Sequence, residues 1–142
     1  LSWETILKKR ENYRKAFRGF DPKKVARLTD EYQASLLANE GIVRNRLKIK
    51  AAVSNAKAFL EIQREFGSFD RYIWGFVNFV PVNENHKTIE TIPTKNEISD
   101  GISKDLKKRG MSFVGSTIIY AYMQAIGMVN AHTTDCFRHR EV

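Results

Sequence analysis

The residues best placed to do chemistry lie in one run, Leu106-Lys107-Lys108-Arg109-Gly110-Met111-Ser112-Phe113-Val114-Gly115-Ser116-Thr117. It reads as the end of a basic helix, a tight turn bounded by two glycines, and the start of an apolar helix. The chemistry on offer is capture of a phosphate rather than bond making. The first N–H groups of a helix have no intrahelical acceptor, and together with the positive end of the helix dipole they hold an anion. Glycine serves where the backbone must come close to that anion or adopt a positive φ. Lys104, Lys107, Lys108 and Arg109 add positive charge beside the turn. The competing reading is a plain helical corner, with Phe113-Val114-Gly115 plugging the core.

A second basic group repeats the theme. Gly41-Ile42-Val43-Arg44-Asn45-Arg46-Leu47-Lys48-Ile49 places Arg44, Arg46 and Lys48 around another helix start. Cations there oppose the helix dipole, so local stability does not explain them, and a bound phosphate would offset the cost. A solvated basic surface is the bland alternative. The whole chain leans the same way. Its 142 residues carry 24 Lys and Arg against 16 Asp and Glu, a net charge of +8 and a pI near 9.7. Such a balance on a chain that is 42% hydrophobic points to a polyanion, nucleic acid first and an acidic membrane surface second.

Other classes drop out. No apolar run approaches the ~20 residues of a membrane span; the longest, Ile118 to Met123, is broken by Tyr120 and Tyr122. The opening residues carry Glu4, Lys8, Lys9 and Arg10 and no apolar stretch of the signal-peptide kind. Cys136 is the single cysteine, so no intrachain disulfide forms, and a reducing, cytoplasmic setting fits.

The elements that must position these groups read as helices throughout. Ser2 caps a first helix along Trp3, Ile6, Leu7, Tyr13 and Phe17, ended by Gly19. Asp21-Pro22 and Thr29 open two short ones. A long helix runs from about Asn45 to Phe66 with Ile49, Val53, Ala56 and Leu60 on one stripe, and Gly67 stops it. Ser68 caps the next. Phe79 to Asn96 reads as a long loop, Ser99 opens a helix to Arg109, and Ser116 caps another that ends at Gly127. No segment alternates as a strand would. The prediction is an all-α chain forming a single domain over residues 1–142.

In this order the motifs resemble the type I DNA-3-methyladenine glycosylases. The resemblance is carried by Leu1-Ser2-Trp3, Leu7-Lys8-Lys9-Arg10-Glu11-Asn12-Tyr13 and Phe20-Asp21-Pro22. It continues through Gly41 to Arg46 with Lys48-Ile49, Trp74-Gly75-Phe76-Val77-Asn78, and Leu106 to Gly110 with Phe113-Val114-Gly115. Asn130-Ala131-His132 closes it. What it implies is a helix-hairpin-helix glycosylase fold, with that motif at about residues 99–127. It implies a bacterial base-excision repair enzyme that hydrolyses the N-glycosidic bond of 3-methyladenine in double-stranded alkylated DNA. The family is monofunctional, flipping the lesion out of the stack into an aromatic pocket.

Residue by residue, the resemblance makes Trp3 the aromatic that stacks on the extruded base, against the alternative of a core residue, and Leu1 the neighbour of the DNA wedge. Met111, Ser112, Val114, Gly115, Ser116 and Thr117 would contact the DNA backbone, as would Arg44 and Arg46. His132 and Cys136 match two of four structural zinc ligands, at a spacing that sets both on one face of a helical turn. In the family pattern a segment before Leu-Ser-Trp supplies the other two ligands, further pocket aromatics and the glutamate that recognises the methylated base. The sequence opens inside that pattern. The expectation is therefore a truncated enzyme whose own pocket, and own activity, is incomplete, with a naturally shortened relative as the alternative. A monomer is expected. The rival functions are a non-catalytic helix-hairpin-helix DNA-binding module and a helical protein-interaction domain with an incidental basic surface.

Overall fold

A computed structural model describes residues 2–141. Among them eight α-helices follow one another: α1 (Trp3–Lys8), α2 (Arg10–Ala16), α3 (Pro22–Val25), α4 (Asp30–Leu36), α5 (Arg46–Phe66), α6 (Phe69–Gly75), α7 (Glu97–Lys108) and α8 (Ser116–Ala125). Six of the eight begin on a side-chain cap, from Ser2, Asp21, Thr29, Asn45, Ser68 and Asn96. Each such oxygen satisfies one of the N–H groups a helix start leaves without a partner. Helix α8 starts at Gly115 with no side chain on its first N–H groups.

Two apolar clusters hold the helices. One gathers Ala16, Phe17, Val25, Leu36, Ile42, Ile49 and Ala56 from α2 to α5. The other gathers Ala58 and Ile62 of α5 with Tyr72 and Ile73 of α6, Ile102 and Leu106 of α7, and Ile119, Tyr120 and Met123 of α8. Helix α5 serves both because its 21 residues are long enough to pass from one to the other. Ile62, Ile102, Met123 and Met128 are wholly buried, and each such side chain contributes roughly 1.5–3 kcal/mol.

Several local expectations are corrected. The helix begun at Ser2 does not run to Gly19. It breaks at Lys9, whose ammonium donates to the Glu40 carbonyl (2.8 Å), and Trp3 and Leu7 are exposed rather than core. Helix α7 opens two residues before Ser99, because Asn96 is the cap and Ser99 the returning partner of a capping box. Ser116 is likewise inside α8, its hydroxyl sharing a 2.7 Å hydrogen bond with that of Ser99. The long loop contains a strand, β1 (Val82–Asn83), paired in parallel with β2 (Val129–Asn130). Two residues are too few to show alternation in sequence.

That loop is anchored by Glu84, whose side chain is 17% exposed. It accepts hydrogen bonds from Tyr120 of α8, from the Asn96 amide (3.1 Å) and from His86 (2.9 Å). Burial pushes the Glu84 carboxyl upward, but the three donors outweigh it and hold the group below its ordinary range. A carboxylate depressed in this way stabilises the fold above its unfolded pKa of about 4.3 and loses that contribution as pH falls through the lower folded value. Glu84→Gln is expected to cost about 1–3 kcal/mol near neutral pH. The gap to the parent should close on acidification below about pH 4, read by urea unfolding across pH; a gap independent of pH would refute the charged anchor.

Candidate nucleic-acid interface

The turn between α7 and α8 is built from unusual backbone. Gly110, just past the helix end, has φ 90°, as expected of a glycine that ends a helix. Phe113, which is not glycine, is also left-handed at φ 60°. For an aromatic residue this conformation costs of order 1 kcal/mol or more and persists only where neighbours impose it. Gly115 has an ordinary φ of −63°. A Cβ built there meets no protein atom within 4 Å. Of the two bounding glycines, only Gly110 is required by φ; Gly115 borders open space.

Side chains from other helices impose the turn. Ser103 of α7 donates to the Val114 carbonyl (2.7 Å) in a buried bond. Asn55 of α5 donates to the Ser112 carbonyl (2.9 Å) and accepts from the Ser112 N–H (2.8 Å). Met111 and Val114 are buried and act as plugs. Met111 and Val114 thus follow the core-plug reading, and the phosphate reading rests on the start of α8, which no side chain caps. The Ser112 and Val114 carbonyls are occupied, while the uncapped start of α8 is half-buried at Gly115 and Ser116 and exposed at Thr117.

The second basic group sits beside the first. Asn45 caps α5, whose first turn contains no acidic residue. Arg44, Arg46 and Lys48 are exposed. The Lys48 ammonium lies 5.9 Å from the centre of the Phe113 ring, so the start of α5 and the turn share a surface. Arg44 has only a loose contact with Glu40, at 4.0 Å. Arg109, by contrast, is committed to structure. It pairs with Asp105 (2.7 Å) and Glu65 (2.6 Å) and lies over the rings of Phe66 and Tyr72. Its charge is therefore neutralised locally, contrary to the sequence reading that counted it with the turn.

Next to the turn, between the two apolar clusters, lies a groove of about 520 Å³. Phe17, Phe20, Phe59, Phe69 and Tyr122 supply its aromatic walls, and Met111, Val114 and Ile118 link it to the turn. Phe20 stands at its edge in a run of three left-handed residues, Arg18 to Phe20, and stacks on Phe17 at 5.8 Å. Sequence reasoning missed this groove, since its walls come from helices far apart in the chain. Trp3 is 83% exposed and is not among the groove's walls, which excludes the core reading for that side chain. Leu1 lies outside the described residues.

His132 and Cys136 do meet, with Sγ 3.7 Å from Nδ1. They do so on a turn rather than a helix: the Cys136 N–H donates to the Thr133 carbonyl (2.9 Å), and the Thr134 N–H to the His86 carbonyl (2.8 Å). Two zinc bonds of about 2.0 and 2.3 Å at a tetrahedral angle put nitrogen and sulfur about 3.5 Å apart, so the pair fits one edge of a zinc site. Among the described residues no group of three or more His, Cys, Asp or Glu side chains is placed to hold a metal.

The family model methyladenine glycosylase matches residues 1–139. The DNA-3-methyladenine glycosylase of Haemophilus influenzae is 46% identical over 136 residues, covering 96% of this chain and 74% of that protein. DNA-3-methyladenine glycosylase 1 of Escherichia coli is 48% identical over 136 residues, covering 96% and 73%. A crystal structure of 3-methyladenine DNA glycosylase I superposes with a TM-score of 0.89 at 48% identity, over 96% of this chain and 75% of the other. A Staphylococcus aureus structure solved for the basis of 3-methyladenine recognition superposes at 0.89 with 36% identity, over 96% and 73%. With the family pattern extending over nearly its whole length, the chain belongs to the methyladenine glycosylases.

Proposed function

We propose that the chain is the DNA-binding and base-excising body of a glycosylase that removes 3-methyladenine from alkylated duplex DNA. The observation that carries this reading is the uncapped start of α8 beside an aromatic-walled groove, in a chain 46–48% identical to enzymes of that activity. The open N–H groups at Gly115 to Thr117 hold one backbone phosphate. Arg44, Arg46 and Lys48 hold its neighbours. Met111, Ser112 and Val114 keep the turn against the duplex, completing a helix-hairpin-helix motif. The groove is the sheltered space nearest that contact.

The chemistry asks little of the protein. Methylation at N3 makes adenine cationic, so its bond to the sugar is already weak. Water adds to C1′, the base leaves as neutral 3-methyladenine, and one proton is released. Extruding the lesion from the stack and excluding bulk water supply most of what is needed, because interactions that favour the departing state over the bound one set the rate. An exposed aromatic face attracts a cationic ring. Trp3, standing free at the start of α1, is proposed as that face.

His132 and Cys136 are proposed as two donors of a structural zinc site, the metal taking no part in hydrolysis. We further propose a monomer working in the bacterial cytoplasm, in keeping with the bacterial relatives. No helix among the described residues is long and apolar enough to cross a membrane. A non-catalytic DNA-binding module would need the α8 start and the basic group, but not the aromatic groove.

The direct test is release of free 3-methyladenine from methylated duplex DNA by the protein carrying this chain. Binding without release would favour the binding module. Trp3→Ala should lower discrimination for methylated over undamaged duplex by about 1 kcal/mol or more, as loss of a cation–π face predicts, with general DNA affinity nearly unchanged. Equal losses in both would remove Trp3 from base recognition. Gly115→Val should fold, since its side chain meets open space. Its affinity for duplex should nevertheless fall severalfold, and a folded variant with parental affinity would move the phosphate elsewhere.

A further inference from the structure

The groove carries one amide among its walls, and both ends of that amide are bonded within the protein. Asn55 sits within α5, where asparagine is a worse helix former than alanine by roughly 0.6 kcal/mol. Both ends of its side chain engage one peptide residue 57 positions away, the Nδ2 on the Ser112 carbonyl (2.9 Å) and the Oδ1 on the Ser112 N–H (2.8 Å). Asparagine carries its donor and its acceptor on two separate atoms, which lets it meet the carbonyl and the N–H of one residue at once. Aspartate would repel the carbonyl, and leucine would bind neither group.

Ser112 is exposed, so water could satisfy both of its backbone groups. Hydrogen bonds that replace water contribute only ~0.5–1.5 kcal/mol each, and stability alone gives little reason for the pair. What the pair does is geometric. It ties the turn, left-handed at Phe113, to the longest helix of the fold, next to Lys48 of that same helix over the Phe113 ring. Met111 and Val114, flanking the bonded residue, are groove walls, as are Ala52 and Ala56 beside Asn55.

We infer that Asn55 is a positioning residue that locks the phosphate-binding turn to the wall of the groove. The α8 N–H groups, the cations at the start of α5 and the groove then meet DNA as one rigid unit. This rests on the DNA-binding reading above. It adds that affinity for the backbone depends on a side chain that need not touch DNA.

The test compares Asn55→Ala and Asn55→Gln with the parent in the protein carrying this chain. Dissociation constants for undamaged and methylated duplex are measured across salt, with kcat and KM for base release and thermal unfolding alongside. Asn55→Gln keeps both polar groups on a better helix former but displaces them by one methylene, so it guards against failure to fold. Both variants are expected to lose about tenfold in affinity, with KM rising more than kcat falls. The slope of log K against log salt should shrink by about 0.9, the value for one lost phosphate contact. Folded variants with parental affinity and parental salt slope would overturn the clamp while leaving the DNA reading intact. A parent protein with no salt-dependent binding to duplex would overturn the DNA reading, and the clamp with it.

Discussion

The proposed DNA contact depends on one group of backbone donors, the start of α8, which no side chain satisfies. A helix start with free N–H groups is tolerable only in water or against an anion, and everything around the start of α8 keeps it open. No side chain caps it, Gly115 leaves open space beside it, and the preceding carbonyls are occupied by Ser103 and Asn55. The left-handed Phe113 is the backbone cost of that arrangement. Burial of Met111 and Val114 on either side offsets it. The turn is thus held by hydrophobic plugs and side-chain hydrogen bonds rather than by its own local preference.

Helix α5 links this turn to the rest of the molecule. Its start bears cations where a helix prefers anions, its middle carries Asn55, and its two halves belong to different apolar clusters. Because those clusters share a helix but not a surface, a groove remains between them, and its mouth lies beside the turn. Glu84 draws Tyr120, His86 and Asn96 together, which pins the long loop to α8 and to the cap of α7. Both helices flanking the turn are therefore fixed at their far sides as well as at the joint. A site that reads phosphate through backbone N–H groups needs such rigidity, since these donors cannot swing to find their ligand as a lysine can.

Charge placement follows the same division. Arg109 resembles Lys107 and Lys108 in sequence, yet it is enclosed by Glu65 and Asp105 and stacked on two rings. It fastens α7 to α5 and α6. The cations near the start of α5 have no such tight partners, so more of the positive potential stands there than the count of basic residues around the turn suggests.

By itself the sequence determined the helical class, most of the caps, the long α5 and the two basic groups, because helical periodicity and capping chemistry are local. The family pattern was legible for the same reason, each motif being a short run of contiguous residues. Other features required the tertiary structure. The break at Lys9, the two-residue strand pair and the roles of Ser99, Glu84 and Asn55 all depend on partners distant in the chain. So does the meeting of His132 with Cys136 on a turn instead of a helix. The exposure of Trp3 was likewise undecidable from spacing, since an aromatic at a helix start fits a core or a free surface equally well until the neighbouring helices are placed. The groove is the clearest case: its walls come from helices that pack against different clusters, and a cavity is a property of how elements fail to meet, which no local pattern encodes.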